Sequence, residues 1–148
     1  MKKLLLLLML VSMFSYGQNN EQPKQSFKYY YEKGSEKAEA GDINGAIVEF
    51  TKAIEVAPNH QATPGTYYAR GVLKNQLGNY KEAIKDYDES LNLGIKQGNE
   101  KSILAIAYNG RGNSKALSGD IKGACIDWKK ADEFGFKGLT PLITQYCK

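Results

Sequence analysis

One phrase occurs three times in this chain, and its repetition limits the folds that the chain can adopt. The copies are KGSEKAEAGDINGAIVEFTKA (residues 33–53), RGVLKNQLGNYKEAIKDYDES (70–90) and RGNSKALSGDIKGACIDWKKA (111–131), which align without a gap. They recur after 37 and 41 residues. A repeat of this length indicates one supersecondary unit stacked on copies of itself, because a single unit cannot bury its apolar face alone.

Each copy has the pattern of two helices joined by a tight turn. The turn glycine suits a left-handed C-cap, and the Asp or Asn after it suits the N-cap of a second helix. In that second helix a small residue, an aromatic four residues later and a small residue three further on share one face. Copy by copy, these residues are Gly41, Asp42, Ala46, Phe50 and Ala53; Gly78, Asn79, Ala83, Tyr87 and Ser90; and Gly119, Asp120, Ala124, Trp128 and Ala131. The pattern predicts an all-α fold of three helical hairpins.

The hairpins resemble the tetratricopeptide repeat of exported bacterial proteins. That family has an aromatic early in its first helix and a glycine at the eighth position of the repeat. The matching residues are Tyr30, Tyr67 and Tyr108 for the aromatic and Gly34, Gly71 and Gly112 for the glycine. The family's closing proline has one match, Pro58. Its period is about 34 residues, so we attribute the excess here to a longer loop around NHQATPG and to an extended helix that begins near Asn99.

The resemblance covers about residues 27–137 and implies a right-handed α-solenoid. The repeats would span residues 27–60, 64–97 and 99–138, the third with an extended first helix. Residues 139–148 are predicted to form a short capping helix, because repeat stacks need a covered end. In that helix Thr140 would be the N-cap and Pro141 the first helical residue. Leu142, Ile143 and Tyr146 would form its apolar face.

The N-terminus has the layout of a secretory signal peptide. Lys2 and Lys3 precede the apolar run Leu4–Phe14, and Ser15 and Gly17 then supply small residues for a cleavage site. A membrane anchor is the alternative, but the run is shorter than the ~20 apolar residues of a spanning helix. We therefore predict a signal peptide at 1–17 and a flexible polar leader at 18–26. The mature protein would be periplasmic or secreted, with no membrane insertion after cleavage.

Charge and motif content argue against several function classes. Removal of Lys2 and Lys3 lowers the formal charge from +4 to +2, and no basic stripe suggests nucleic acid as a partner. The single histidine, His60, lies in a predicted loop, and no cluster has metal-ligand spacing. The sequence contains no phosphate-binding loop or nucleophile motif. We predict that the protein is not an enzyme and has neither a cofactor nor a metal.

A charge pattern also repeats. Each copy has two basic residues four apart on its first helix and an acid on its second: Lys33, Lys37 and Glu49; Arg70, Lys74 and Asp86; Arg111, Lys115 and Asp127. These sets could be three anion sites or three ion pairs that hold the helices of a hairpin together. The acid accompanies the bases in every copy, which favours the ion pairs.

Cys125 and Cys147 are the only cysteines of the chain. In an oxidising compartment an even pair favours a disulfide. Two buried free thiols, or one reactive thiol, are the alternatives. The spacing of the pair does not suggest redox catalysis.

The resemblance implies that the first helices line a concave surface that binds a protein or peptide. The candidate groove residues are Lys28, Tyr31, Ser35, Glu39, Tyr68, Val72, Asn75, Gln76, Asn109, Asn113 and Leu117. They could equally be ordinary surface residues of a short stack. The predicted function is a non-catalytic binding scaffold outside the cytoplasm. The alternative is a structural subunit of a cell-envelope assembly that packs through the stack ends or the convex face.

This sequence lacks the ligand-binding residues of one branch of the family. That branch clamps the C-terminal carboxylate of heat-shock chaperones with Lys, Asn and Arg side chains. The matching positions here are Tyr31, Ser35, Ala69, Ile106 and Gly110, and none carries the clamp residue. The resemblance therefore does not imply that ligand.

Overall fold

A computed structural model describes residues 26–148, which form seven α-helices. They are α1 (Phe27–Glu39), α2 (Ile43–Val56), α3 (Thr63–Gln76), α4 (Tyr80–Lys96), α5 (Lys101–Leu117), α6 (Ile121–Glu133) and α7 (Thr140–Tyr146). Because this range contains no β-strand, the all-α prediction is confirmed. None of these helices has the length and apolar character needed to cross a membrane. The predicted signal peptide and all but the last residue of the predicted leader lie outside the described residues.

The turn within each hairpin follows the glycine pattern. At the first turn Gly41 has a φ of 80°, and its N–H donates to the Ala38 carbonyl while the Asp42 N–H donates to the Lys37 carbonyl. These two bonds form a Schellman motif, which requires a residue that tolerates positive φ. Asp42 also caps α2, since its Oδ1 accepts from the Gly45 N–H at 2.9 Å. The other two turns repeat the motif, except that the Asn79 side chain makes no capping hydrogen bond.

Each hairpin closes on the aromatic residue of its second helix. In the third hairpin a Cβ atom added to Gly112 would lie 2.8 Å from Cδ1 of Trp128, so only glycine lets α5 approach α6 this closely. The same close approach joins Gly34 to Phe50 and Gly71 to Tyr87. The small residues that flank each aromatic are buried. The spacing pattern therefore describes the core of every hairpin.

The unequal repeat period has two sources, of which the sequence suggested one. Helix α5 has 17 residues where α3 has 14, but it begins at Lys101 rather than near Asn99. Helix α4 is lengthened as well, with 17 residues against the 14 of α2, and this was not predicted. The loop at 57–62 is longer than its counterpart at 97–100, although α3 already begins at Thr63 inside the NHQATPG stretch. The added length of α4 and α5 exceeds the shortening of the loop at 97–100, so the interval between the second and third copies is longer than the first interval.

Ion pairs join the two helices of the second and third hairpins, as predicted. Asp86 is buried and accepts from Arg70 Nε at 2.9 Å, from Arg70 Nη2 at 2.7 Å and from Lys74 Nζ at 2.8 Å. Asp127 accepts in the same way from Arg111 and Lys115, at 2.6 to 2.8 Å. Bidentate pairing of this kind fixes geometry as well as charge.

The same guanidinium groups also link neighbouring hairpins. Arg70 Nη1 donates to Thr51 Oγ1 on α2 at 2.9 Å, and Arg111 Nη1 donates to Asp88 Oδ1 on α4 at 2.6 Å. Burial opposes the charge of Arg111, but its hydrogen bonds to Asp127 and Asp88 outweigh that effect and raise its pKa. The side chain therefore stays cationic and serves two hairpins at once.

The ion-pair prediction is wrong for the first hairpin. Lys37 pairs with Asp42 at 2.7 Å, Glu49 pairs with Lys52 at 3.1 Å, and Lys33 lies over the Tyr29 ring. A lysine lacks the planar fork of arginine, and the longer Glu49 side chain does not bring its carboxylate to the position that Asp86 and Asp127 reach. One oxygen of Glu49, Oε2, is buried and has no hydrogen-bond partner among residues 26–148.

Installing the missing pair should stabilise the first hairpin. The double substitution Lys33→Arg/Glu49→Asp copies Arg70 and Asp86, so we expect a gain of about 1 kcal/mol in the free energy of unfolding. Urea unfolding measures the gain, with Lys33→Arg alone as the control that still lacks a suitably placed acid. An equal gain from the single and double variants would contradict this account of the first hairpin.

The C-terminal helix and its N-cap both begin one residue earlier than the sequence suggested. The N-cap is Leu139, with Thr140 as the first helical residue and Pro141 as the second, so the prediction of Thr140 as N-cap is wrong. Leu139 is buried in a cluster around Trp128, and its carbonyl accepts from the Ile143 N–H. Apolar burial of Leu139 therefore decides where α7 begins. Helix α7 packs on α6 with Leu142 and Ile143 against that cluster.

A disulfide ties this last helix to the stack. Cys125 on α6 is bonded to Cys147, which directly follows α7, with a Cα–Cα distance of 5.4 Å. Neither of the free-thiol alternatives occurs in the structure. The covalent link holds a helix of seven residues that has no buried residue of its own.

Candidate functional site

Two clefts open on the side formed by the first helices of the hairpins, α1, α3 and α5. The first cleft, of about 370 Å³, lies between α1 and α3. Tyr31 and Tyr68 form part of its wall, and their rings rest on Phe50 and Tyr87, each at 5.7 Å between centroids. Burial raises the pKa of Tyr68, so its phenol stays neutral and retains an O–H donor at physiological pH.

The second cleft, of about 490 Å³, lies between the last two hairpins and the C-terminal helix. Its polar groups are Asn75 and Asn113. Its apolar wall consists of Ala116, Leu117, Ile121, Trp128, Leu142 and Tyr146. The size is within the usual range of ligand pockets, which is about 300–1,000 Å³.

Hydrogen bonds orient both amides of the second cleft. Asn113 Oδ1 accepts from Trp128 Nε1 at 2.9 Å, and Asn75 Oδ1 accepts from the buried Ser114 hydroxyl at 2.7 Å. Because an indole N–H can only donate, the oxygen of Asn113 must face Trp128. The Nδ2 groups of both residues make no hydrogen bond within the part of the chain that the structure describes. The second cleft therefore offers two oriented N–H donors beside an apolar wall.

Eight of the eleven predicted groove residues line these clefts. Tyr31, Ser35, Glu39, Tyr68 and Val72 line the first cleft, and Asn75, Asn113 and Leu117 line the second. The other three, Lys28, Gln76 and Asn109, line neither of them. Lys28 instead lies 3.7 Å from Glu32 in an exposed ion pair.

Sequence reasoning missed the wall that the C-terminal elements contribute. The sequence pattern predicts Trp128 in the core and Leu142 and Tyr146 in a cap, and it does not point to Ile121. Trp128 is buried and also lines the second cleft. Two signals were available, the predicted capping helix and the cysteine pair, and together they could have placed α7 beside α6.

Metal binding has no candidate site within residues 26–148. Among the described residues no three His, Cys, Asp or Glu side chains are grouped to hold a metal ion. His60 is exposed in the loop before α3, where its ring stacks on Phe27 at 4.2 Å and its Nδ1 accepts from the Ala62 N–H. These contacts hold the His60 side chain within the loop.

Comparison with known sequences matches the first two hairpins to a known repeat. The sequence model of the tetratricopeptide repeat matches residues 27–60 and 64–93. A tetratricopeptide repeat protein 36 homolog from Nematostella vectensis is 37% identical over 79 residues, which are 53% of this chain and 42% of the relative. The chain thus matches less than half the length of that relative.

Solved structures share the fold at low sequence identity. The N-terminal domain of stress-induced protein-1 from C. elegans has a TM-score of 0.75 and 16% identity, with 82% of this chain and 94% of that chain covered. The first TPR of Spaghetti (RPAP3), bound to an HSP90 peptide, has a TM-score of 0.70 and 19% identity, with 84% and 92% covered. The TPR2AB domain of yeast Sti1, in complex with an HSP90 peptide, has a TM-score of 0.69 and 16% identity, with 81% and 45% covered. Together with the matched repeats, these similarities show a tetratricopeptide-type α-solenoid.

Proposed function

We propose that this chain is a non-catalytic scaffold that binds a protein or peptide partner outside the cytoplasm. The observation that carries the proposal is the second cleft, where the oriented amides of Asn75 and Asn113 face an apolar wall. Convergent polar donors beside apolar surface are typical of binding sites. Residues 26–148 contain no comparable grouping of His, Cys, Asp or Glu side chains for a metal ion.

An extended peptide matches these features. Its backbone carbonyls would accept from the two Nδ2 groups, and one of its apolar side chains would rest against Leu117 and Tyr146. The first cleft would add the tyrosine rings of Tyr31 and Tyr68, which offer large contact area with little rotamer entropy to lose. Because Trp128 and Ser114 already fix the amides, binding would not have to order them.

Two of the similar structures support a peptide as the ligand class. The Spaghetti and yeast Sti1 domains are complexes with HSP90 peptides. The ligand here would differ, because Tyr31, Ser35, Ala69, Ile106 and Gly110 stand where the chaperone-binding branch has its clamp residues. A Cβ atom added to Gly110 would also lie 2.9 Å from the Tyr87 ring, which leaves no room there for a longer side chain.

The proposed location rests on two features of the chain. Residues 1–17 have the pattern of a secretory signal peptide, and Cys125 and Cys147 form a disulfide. Disulfides persist in oxidising compartments such as the periplasm and the extracellular space. Both features support an exported protein.

Affinity capture from the exported fraction of the source cells tests the binding function. The groove variant is Tyr31→Ala/Leu117→Ser, chosen because both side chains are exposed and line the clefts. Asn113 is unsuitable for this purpose, since its loss would leave the Trp128 N–H without a partner. The matched control is Ile95→Ser, which removes a side chain of similar exposure (55% against 58% for Leu117) outside both clefts.

We expect the wild type and the control to retain a partner that the groove variant binds about tenfold more weakly or not at all. Thermal melts establish that all three proteins fold. Equal retention by the groove variant would contradict binding through the clefts. That result would favour a structural subunit that packs through its ends or its convex face.

A further inference from the structure

A third concave region lies beside the disulfide. This region, the lysine-lined cleft, has a volume of about 300 Å³. It is formed by α6 and by the residues at the end of α7, and Cys125 and Cys147 both line it. It shares Ile121 and Tyr146 with the second cleft, but its other lining residues are its own. The proposed function does not use it.

The charged side chains that line the lysine-lined cleft are all basic. Lys122, Lys129 and Lys148 line it, and no Asp or Glu does. None of the three lysines has a carboxylate within 4 Å in the described range, whereas Lys74 and Lys115 are each paired with a buried aspartate. Three unpaired ammonium groups around one depression raise the local concentration of anions.

Apolar surface lies among these charges. Ile126 is 69% exposed, which is the highest value among the exposed large apolar side chains of the described residues. It is four residues after Lys122 and three before Lys129, so the three side chains share one face of α6. Tyr146, which is 47% exposed, adds an aromatic ring from α7.

The geometry points to an acidic peptide segment as the occupant of the lysine-lined cleft, with a bulky apolar residue flanked by Asp or Glu. The volume is at the lower limit of ligand pockets, which suits one apolar side chain rather than a whole small molecule. Lysines from α6 and from the chain after α7 would meet carboxylates on both sides of that side chain. A flat membrane surface would be a poorer match, because these lysines line a depression.

The disulfide sets the two sides of this cleft relative to each other. Cys125 lies on α6 between Lys122 and Lys129, and Cys147 lies between Tyr146 and Lys148. The bond therefore holds the lysine and the tyrosine of the C-terminal segment against the lysines of α6. Binding of the acidic segment should depend on the oxidised state of the pair.

Peptide arrays and fluorescence anisotropy test this inference on the full exported protein. The array carries octapeptides with Leu, Ile or Phe at the centre and Asp or Glu elsewhere, together with counterparts in which Lys replaces the acids. The tightest acidic peptide is then labelled and titrated against the wild type, Lys122→Gln/Lys129→Gln and Lys81→Gln/Lys85→Gln. The last variant is the matched control, because Lys81 and Lys85 are also two exposed lysines on one face of a single helix and make no ion pair within residues 26–148.

We expect the acidic peptide to bind the wild type and the control, and the Lys122/Lys129 variant to bind it about two- to thirty-fold more weakly, as expected for the loss of two exposed ion pairs. Affinity should fall with added salt and after reduction of the disulfide. The groove variant Tyr31→Ala/Leu117→Ser should bind the peptide normally, which separates this inference from the proposed function.

Several outcomes would overturn the inference. These are failure of every acidic peptide on the array, equal binding by the two lysine variants, or equal binding of the basic counterparts. Vesicles of phosphatidylcholine with phosphatidylserine serve as a further probe. Binding to them that requires Lys122 and Lys129, without peptide binding, would replace the acidic peptide with a membrane surface. Unchanged affinity after reduction would overturn the dependence on the disulfide.

Discussion

Replacing Asp127 with alanine should lower the free energy of unfolding by about 3–5 kcal/mol, as is typical when one partner of a buried ion pair is removed. The Asp127 carboxylate is fully buried and accepts from both Arg111 and Lys115. Without it, two largely buried cations lose their shared partner. Arg111 would keep Asp88 as its only ion-pair partner among the described residues, so that the link between the second and third hairpins would weaken. Urea unfolding followed by Trp128 fluorescence measures the loss.

The control for this substitution is Asp132→Ala on the same helix. Asp132 is exposed and makes no ion pair within the described range, so its loss should change the free energy of unfolding by no more than about 0.5 kcal/mol. Partner binding should survive in both variants under conditions where they are folded. If Asp127→Ala kept its stability and lost its partner, the repeated charge set would be an anion site rather than an ion pair.

Removing the disulfide should produce the second large effect. The bond joins residues 22 apart in sequence. Constraint of a loop of that length is worth about 3 kcal/mol in the chain-entropy model, so Cys125→Ser/Cys147→Ser should lose about that much stability. Helix α7 should be affected first, because it has no buried residue of its own and borders the second cleft through Leu142 and Tyr146.

A reducing agent provides the matched experiment. It should lower the denaturation midpoint of the wild type to that of the double serine variant and leave the variant unchanged. Hydrogen exchange should locate the increased opening in residues 139–148. A wild-type midpoint that does not respond to reduction, with free thiols verified by labelling, would show that α7 is held by packing alone.

The hairpins could be predicted from sequence because their determinants are local. Gly112 and Trp128 contact each other within a single hairpin, and the three repeated copies reveal the spacing that brings such a pair together. The ion pairs of Asp86 and Asp127 followed from the same register. In each case the interacting residues are 16 apart, across one tight turn.

Other features of the structure depend on side-chain length and on tertiary contacts, which the spacing of the repeats does not reveal. In the first hairpin the charged residues stand at the repeated positions, but Lys33 and Glu49 do not form the ion pair. Glu49 is one methylene longer than aspartate, and Lys33 lacks the planar fork of arginine. The start of α7 depends on the burial of Leu139. The second cleft depends on contacts between α5, α6 and α7, and the sequence could list its amides without showing that Trp128 and Ser114 orient them.

The links that Arg70 and Arg111 make to the preceding hairpin also bear on self-association. Their acceptors, Thr51 and Asp88, occupy equivalent positions, and the next position in that register is Lys129. If a second copy stacked head to tail, its Lys33 would approach Lys129 of the first copy. Lys33 stands where Arg70 and Arg111 stand in the other hairpins. Two cations would therefore meet at the position where an arginine and its acceptor meet inside the chain. Head-to-tail contacts that do not close generate filaments. We expect this like-charge mismatch, together with the covering helix α7, to oppose polymerisation of the solenoid.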